Sequence, residues 1–209
     1  MKPFAFPARL VAPLIPYVAV GIGLLLLKNA WVAMIGYHAG MCAMITLERR
    51  WYLASDLFKG AQSRLLALSV LVGSMSGLVL YNIWPWIGVN TNLNVVLVDY
   101  GLSGSGWLLF IAYFCFVNPW LEELYWRGYL GNPALFPTRT DLWFAGYHPM
   151  VLAGLIATNW AILTLAVLVI AAWFWRQLAR AGKGLMMPAI SHFAADASIV
   201  LTVYALSLR

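Results

Sequence analysis

The chain has 209 residues, of which 63% are hydrophobic and 10% carry a charge, and its mean hydropathy is +0.82. A soluble globular domain is roughly half apolar and a quarter charged, so this composition excludes one and indicates a polytopic membrane protein. The net charge of +6 does not indicate a nucleic acid partner, because the basic residues lie in short connections between apolar runs, where they report membrane topology.

Seven apolar segments follow one another along the chain and predict an all-α transmembrane bundle. They are 10–27, 30–47, 65–83, 107–130, 142–158, 160–175 and 185–208. Only Asn159 separates the fifth segment from the sixth, so six spans with one long bent element is the alternative. The bundle forms one compact membrane domain, in which residues 1–106 carry no motif and residues 107–209 are assigned to the functional core.

The distribution of lysine and arginine predicts the orientation of the bundle. With a cytoplasmic N-terminus, ten basic residues fall inside and two outside. The inside set is Lys2, Arg9, Arg49, Arg50, Lys59, Arg64, Arg139, Arg176, Arg180 and Lys183, and the outside set is Lys28 and Arg209. The positive-inside rule therefore predicts an integral protein of the cell membrane with a cytoplasmic N-terminus and a C-terminus outside.

Two connections between the segments are long enough to have a structure of their own. Residues 49–64 combine basic and aromatic residues, which predicts an interfacial helix at the cytoplasmic face. Residues 84–106 contain no lysine or arginine and end in GLSGSG, which predicts a flexible outside connection. Cys42 and Cys115 each lie inside an apolar run without a CxxC pair, which favours buried free thiols over a disulfide or a metal site.

The stretch 118–130, NPWLEELYWRGYL, places three charged residues inside an apolar segment. Each ionised side chain near mid-bilayer costs roughly 2.5 to 3.5 kcal/mol, so such residues are functional candidates. On a helix, Glu123 shares a face with Arg127 in the favoured acid-before-base order, whereas Glu122 points about 100° away. This geometry favours a mutually neutralised pair, Glu123 with Arg127, and an uncompensated, reactive Glu122. A purely structural ion cluster is the alternative.

Two further polar sites lie later in the chain. The run FAGYH ends in His148, and the run HFAAD begins with His192 and ends with Asp196, which could fix the tautomer of the imidazole. Structural hydrogen bonds between helices are the alternative for both. Glu122, His148 and His192 all lie roughly 9 to 12 Å below the cytoplasmic face at 1.5 Å per residue, and three polar sites in one layer predict a shared site. His38 lies near that layer in no motif and is assigned to packing.

In chain order, EELYWR, FAGYH and HFAAD resemble the EExxxR, FxxxH and HxxxN/D motifs of the CPBP family. This is the CAAX-protease and bacteriocin-processing family of intramembrane glutamic proteases, which includes the Rce1-type enzymes. The resemblance covers roughly residues 107–208, and it rests on the occurrence of all three motifs in order within an apolar chain.

The resemblance implies a role for each matching residue. Glu122 would act as general base on a water held jointly with His148, while His192, helped by Asp196, would stabilise the oxyanion. Structural support would come from Glu123, Arg127 and Phe144. The chain departs from the family at Asp196, where many members have Asn, because an ionised carboxylate cannot donate a hydrogen bond to an oxyanion. Asp196 is therefore either protonated or confined to orienting His192.

Three functions stay open at this point. The first is an intramembrane endopeptidase without a cofactor, acting near the cytoplasmic face on a membrane-associated or lipid-anchored peptide: a prenylated C-terminus, a bacteriocin-like peptide or a sorting tail. The second is a zinc-dependent variant with His148, His192 and Glu122 as ligands, although the HExxH spacing is absent. The third is a non-proteolytic immunity or scaffold protein that binds a membrane peptide.

Overall fold

The structure is a computed structural model and describes residues 8–208, so Lys2 and Arg209 of the orientation prediction lie outside the described residues. The described residues form helices and no strands, which confirms the predicted all-α class. In chain order the helices are α1 (Arg9–Leu26), α2 (Ala30–Leu47), α3 (Ser63–Ile83), α4 (Leu93–Asp99), α5 (Gly104–Tyr129), α6 (Arg139–Gly146), α7 (His148–Leu152), α8 (Thr158–Gly182) and α9 (Met186–Ser207). Six of them, α1, α2, α3, α5, α8 and α9, are long and apolar enough to span a membrane.

The predicted fifth segment, 142–158, is not a single spanning helix. α6 ends at Gly146 and α7 begins two residues later, since Pro149 has no N–H to donate to the carbonyl of Ala145. After α7 the chain turns at Gly154, whose φ of +76° is in the left-handed region that glycine adopts without strain. The apolar run is thus broken into two short helices and a turn, and it does not join α8 as one bent helix.

Contacts at the helix ends show which connections share a face of the bundle. At one face, the N–H of Leu185, just before α9, donates to the carbonyl of Asp56 at 2.7 Å. At the same face the start of α1 meets the end of α5, with the guanidinium of Arg9 5.5 Å from the ring centroid of Tyr129. This basic face carries the described inside set except Arg176: Arg9, Arg49, Arg50, Lys59, Arg64, Arg139, Arg180 and Lys183.

The opposite face gathers the remaining connections. The N–H of Ala157, just before α8, donates to Ile87 at 3.0 Å, and the N–H of Ala30 donates to Tyr100 at 2.9 Å. Because α5 ends at the basic face and α8 begins at the opposite one, residues 130–157 cross the bundle through the broken pair α6 and α7. The chain therefore changes side seven times, with six long helices and one interrupted crossing.

Glycines permit a close helix contact between α3 and α9. A Cβ added at Gly73 would lie 2.5 Å from the carbonyl oxygen of Ser191, and one at Gly77 would clash with the carbonyl of Ser198. The N–H of Gly77 donates a hydrogen bond to the hydroxyl oxygen of Ser198 at 3.0 Å. Small residues at a helix interface permit this approach in a membrane. The contact fixes α9, the helix that carries His192.

The structure modifies several local predictions. The connection 84–106 is not a free loop, because α4 packs Leu93 and Leu97 into the core. The basic connection 49–64 is helical as predicted, and its helix is the 3₁₀ segment Trp51–Phe58. Arg176 was predicted in a cytoplasmic connection, whereas it lies within α8, buried and ion-paired with Asp141 at 2.7 Å. Both cysteines are free thiols; Cys115 is buried as predicted, whereas Cys42 is only half-buried.

Candidate active site

α5 presents its two glutamates where its winding changes. From Leu124 to Tyr129 the helix is π-helical, and the N–H of Leu130 donates to the carbonyl of Tyr125, five residues earlier, at 2.8 Å. Such wide turns are frequent at functional sites because they re-aim side chains within a helix. The turn follows Glu122 and Glu123, whose exposed fractions are 1% and 0%.

Glu122 is held by hydroxyl groups. Its Oε1 accepts hydrogen bonds from the hydroxyl of Tyr147 at 2.6 Å and from that of Tyr37 at 2.8 Å. The Tyr37 hydroxyl in turn accepts from the indole N–H of Trp126 at 2.7 Å. Oε2 lies 3.5 Å from Nε2 of His192. Within residues 8–208 no lysine or arginine pairs with this carboxylate. Its Oε1 is therefore bonded only to neutral donors, and its Oε2 faces His192.

Glu123 has a different set of partners. Its Oε1 lies 3.1 Å from Nη1 of Arg127, the predicted i, i+4 pair, although the alignment is that of an ion contact and not of a directed hydrogen bond. The same oxygen accepts from Nδ1 of His192 at 2.9 Å. The guanidinium also lies 4.4 Å from the ring centroid of Phe144 and 5.3 Å from that of Trp175. Aromatic faces and a carboxylate thus surround the buried cation of Arg127.

His192 has a carboxylate near each ring nitrogen. Nδ1 is bonded to Glu123, whereas Nε2 lies 3.5 Å from an oxygen of Glu122 and 3.5 Å from one of Asp196. The ring is stacked on Trp175, with centroids 3.8 Å apart and an interplanar angle of 19°. Glu123 is therefore the carboxylate bonded at Nδ1, whereas Asp196, the predicted i, i+4 neighbour, lies beside Nε2.

His148 has a defined tautomer. Its Nδ1 lies 3.0 Å from the carbonyl oxygen of Phe144, and because a carbonyl only accepts, Nδ1 carries the hydrogen and Nε2 a free lone pair. The ring is stacked on Tyr147, with centroids 4.1 Å apart.

A cavity of about 240 Å³ joins these groups. Its polar lining includes all four residues predicted to be catalytic, Glu122, His148, His192 and Asp196, together with Tyr37, Asn118 and Tyr147. The rest is predominantly apolar and reaches towards the face opposite the basic one, where Leu97, Leu102 and Leu155 contribute. The arrangement offers carboxylate and imidazole groups in a small space that is otherwise poor in polar partners.

Comparison with known proteins identifies the segment that carries these groups. Residues 104–198 match the family described as type II CAAX prenyl endopeptidase Rce1-like. This part of the chain is similar to the Rce1-like family. Together with the six helices of spanning length, the match supports an integral, multi-pass membrane protein that contains a segment similar to a protease family. No curated protein and no solved structure gives a significant match to the chain.

Several polar residues around the cavity were not predicted from the sequence. Asn118 lies four residues before Glu122, and Tyr147 directly precedes His148, so helical spacing and adjacency could have drawn attention to both. Tyr37 and His38 belong to α2, outside the Rce1-like segment, and no local pattern marks them. His38, assigned to packing, lies 3.1 Å from the side-chain oxygen of Asn118 through its Nε2.

The described residues do not assemble the zinc site considered from the sequence, with His148, His192 and Glu122 as ligands. Within residues 8–208 no three His, Cys, Asp or Glu side chains are arranged to hold a metal ion.

Proposed function

We propose that the protein is an intramembrane endopeptidase in which Glu122 is the general base for hydrolysis of a peptide bond in a membrane-associated or lipid-anchored substrate. One observation carries the proposal: Glu122 is buried in a mostly apolar cavity, with Oε1 fixed by two hydroxyl donors and Oε2 directed towards His192. A carboxylate with one fixed and one available oxygen in a space of this kind suits proton abstraction from a single water.

The attacking water would bind between Oε2 of Glu122 and Nε2 of His148, both of which accept hydrogen bonds. Glu122 takes one proton, the resulting hydroxide bonds to the carbonyl carbon of the substrate, and the carbonyl oxygen becomes an oxyanion. The C–N bond then breaks while Glu122 passes its proton to the departing amine, so that the carboxylate is regenerated. The neutral ring of His148 orients the water because Nδ1–H is held by the Phe144 carbonyl.

His192 would stabilise the oxyanion through Nε2. Because Nδ1 already carries a hydrogen, Nε2 donates only when the ring is doubly protonated. The carboxylates of Glu122, Glu123 and Asp196 around the ring would stabilise that positive charge. Stacking on Trp175 fixes the ring plane. Asp196 would orient His192 and would not donate to the oxyanion itself, since an ionised carboxylate only accepts. Structural support would come from Glu123, Arg127 and Phe144.

The experiment that tests the proposal is a cleavage assay in liposomes made in H₂¹⁸O. Wild type and Glu122→Ala are each given three anchored peptides: a prenylated C-terminal peptide, a bacteriocin-like peptide and a sorting-tail peptide. We expect wild type to cleave at least one of them and to place one ¹⁸O in the new carboxyl group, whereas Glu122→Ala leaves all three intact while folded and inserted. Full activity of Glu122→Ala would contradict the proposal.

A chelator arm separates the metal-dependent alternative. Activity that survives exhaustive chelation agrees with the proposed general-base mechanism. Loss of wild-type cleavage on chelation, followed by recovery on addition of zinc, would replace it with a metal-dependent one. The same three peptides identify the substrate class, because each presents a different group next to the scissile bond.

A further inference from the structure

Asp196 is the member of the site whose chemistry the mechanism leaves least defined, and its partners are unusual. Its side chain is 13% exposed, and Oδ1 lies 3.5 Å from Nε2 of His192. Oδ2 accepts a hydrogen bond from the side-chain amide of Asn118 at 3.0 Å. No lysine or arginine within residues 8–208 pairs with this carboxylate. A neutral amide from the facing helix α5 is therefore its closest donor.

The hydrogen positions along the contacts of Asn118 and His38 follow from which groups can donate and which can only accept. A carboxylate accepts from the amide of Asn118, so the nitrogen of this amide faces Asp196 and its oxygen faces His38. An amide oxygen only accepts, so Nε2 of His38, 3.1 Å away, carries a hydrogen. Nδ1 of the neutral ring is then an acceptor, and the hydroxyl of Tyr113 donates to it at 2.7 Å.

The result is a one-directional chain of hydrogen bonds from Tyr113 through His38 and Asn118 to Asp196. Its two central side chains are 4% exposed, and it links three helices, α2, α5 and α9. Each central group has both of its hydrogen-bonding ends satisfied, which keeps it in one orientation. The chain ends on the carboxylate beside Nε2 of His192, the nitrogen that faces Glu122.

We infer that Asn118 and His38 are positioning residues for the proposed peptide hydrolysis: they hold Asp196 with Oδ1 beside His192, so that the imidazole keeps the orientation needed at the oxyanion. The inference rests on the proposed function. It accounts for an aspartate at this position, since a carboxylate held by a neutral amide stays an acceptor for His192 and is not drawn away by a competing cation.

Kinetics of matched variants test the inference. Asn118→Leu keeps the approximate volume and removes the donor, so kcat should fall about tenfold to a hundredfold, the range for losing a hydrogen bond to a charged group, while KM stays within about twofold. His38→Phe should behave similarly, whereas His38→Gln should recover most of the rate because its amide N–H can donate to Asn118. The control, Tyr125→Phe, removes a buried hydroxyl bonded to the carbonyl of Ala12 at 2.8 Å, outside the site, and should leave kcat unchanged.

A charge-preserving exchange adds a stricter comparison. Asn118→Asp alone brings two carboxylates together and should reduce kcat more than Asn118→Leu does. The double variant Asn118→Asp with Asp196→Asn restores one amide and one carboxylate in reversed order and should recover part of the rate. A double variant no better than Asn118→Asp would contradict the inferred contact.

A spectroscopic readout makes the test independent of turnover. The chain has three histidines, so ¹⁵N-histidine labelling gives three ring systems. In Asn118→Leu the His192 ring signals should move although Asn118 is hydrogen-bonded to Asp196 and not to His192, and in Tyr125→Phe they should stay in place. Unchanged His192 signals together with wild-type kcat in a folded Asn118→Leu protein would overturn the inference.

The two proposals fail differently. If Glu122→Ala abolishes cleavage while Asn118→Leu and His38→Phe keep the wild-type rate, the positioning inference is wrong and the proposed function stands. If Glu122→Ala cleaves normally, the proposed function is wrong whatever the Asn118 variants do. Thermal unfolding in detergent checks that each variant is folded, and if Asn118→Leu is not, the comparison of His38→Gln with His38→Phe decides the outcome.

Discussion

At the scale of single residues, the two adjacent glutamates differ through their partners and not through their burial. Both are almost completely buried, yet Glu123 touches the cation of Arg127 while Glu122 is held by the hydroxyls of Tyr37 and Tyr147. An arginine contact neutralises a carboxylate, whereas two hydroxyl donors on one oxygen fix its orientation and leave its charge in place. This difference is the physical basis for assigning the general base to Glu122.

Removing one hydroxyl should slow the reaction without unfolding the protein. We expect Tyr147→Phe and Tyr37→Phe each to lower kcat about tenfold, because each removes a hydrogen bond to a charged oxygen of Glu122. Tyr125→Phe is the matched control, since its hydroxyl is equally buried but bonded to the carbonyl of Ala12. Steady-state cleavage normalised to folded protein measures the effect, and equal kcat in all three variants would show that the hydroxyls do not orient the base.

The tautomer of His148 gives a second expectation at this scale. Because Nδ1 lies 3.0 Å from the carbonyl oxygen of Phe144, we expect the neutral ring to carry its hydrogen on Nδ1 and a lone pair on Nε2. Ring ¹⁵N signals of labelled protein distinguish the two tautomers directly. A neutral ring with its hydrogen on Nε2 would contradict the proposed acceptor for the water.

At the scale of elements, the interrupted crossing formed by α6 and α7 carries His148 and is anchored from α8. Arg176, 3% exposed, is bonded to Asp141 of α6 at 2.7 Å and also donates to the carbonyls of Ala134 and Phe136 in the preceding connection. Asp141 also completes a capping box with Thr138, which fixes the start of α6. Arg176 therefore holds both α6 and the connection that precedes it.

Breaking this pair should lower the stability of the protein. We expect Arg176→Met to lower the free energy of unfolding by about 3 to 5 kcal/mol, because Asp141 is left buried without its cation. The double variant Arg176→Met with Asp141→Leu should recover part of the loss, since no uncompensated charge remains although the capping box with Thr138 is also removed. Thermal and denaturant unfolding in detergent measure both. An Arg176→Met protein as stable as wild type would show that the pair does not hold α6.

At the scale of the whole molecule, the helix-end contacts give seven crossings although six helices are long enough to span. Eight of the described lysines and arginines gather at the basic face, and Lys28 lies near the opposite one. With the basic face in the cytoplasm, the connection that contains α4 lies outside. The polar site lies between the two faces, and its apolar cavity reaches towards the outer one.

Cysteine labelling in intact cells tests that topology. In a protein whose Cys42 and Cys115 are replaced by Ala, a cysteine at Thr91 should react with a membrane-impermeant maleimide, because this residue lies in the outer connection. A cysteine at Ser55, in the 3₁₀ segment at the basic face, should react only after the cells are opened. Labelling of Ser55→Cys but not of Thr91→Cys in intact cells would reverse the orientation.

The sequence predicts long elements well and tertiary contacts poorly in this chain, for physical reasons. Apolar runs of about 20 residues mark α1, α2, α3, α5, α8 and α9, because hydrocarbon thickness imposes that length. The fifth run has the composition of a spanning helix, and only Pro149 and Gly154 within it indicate the break. The motif residues Glu122, His148 and His192 were identified as one layer because each is polar in an apolar setting.

The hydrogen-bond partners of those residues could not be predicted from local sequence patterns. Tyr37 lies 85 positions before Glu122 in the chain, and its hydroxyl reaches that carboxylate only because α2 packs beside α5. The assignment of His192 to Asp196 followed from helical spacing, whereas Glu123 on a different helix is the closer carboxylate. In both cases the shorter contact joins two helices, and the periodicity of a single helix does not predict such a contact.

The measurement that tests the central claim most directly is the cleavage rate of Glu122→Gln in liposomes, compared with wild type on the same anchored peptide. Glutamine keeps the shape of the side chain and one oxygen for the hydroxyls of Tyr37 and Tyr147, but it cannot take a proton from water. We expect unchanged thermal unfolding and a rate at least about a hundredfold lower, within the range that general-base catalysis contributes. A folded Glu122→Gln protein that cleaves within about tenfold of wild type would contradict the assignment of Glu122 as the base.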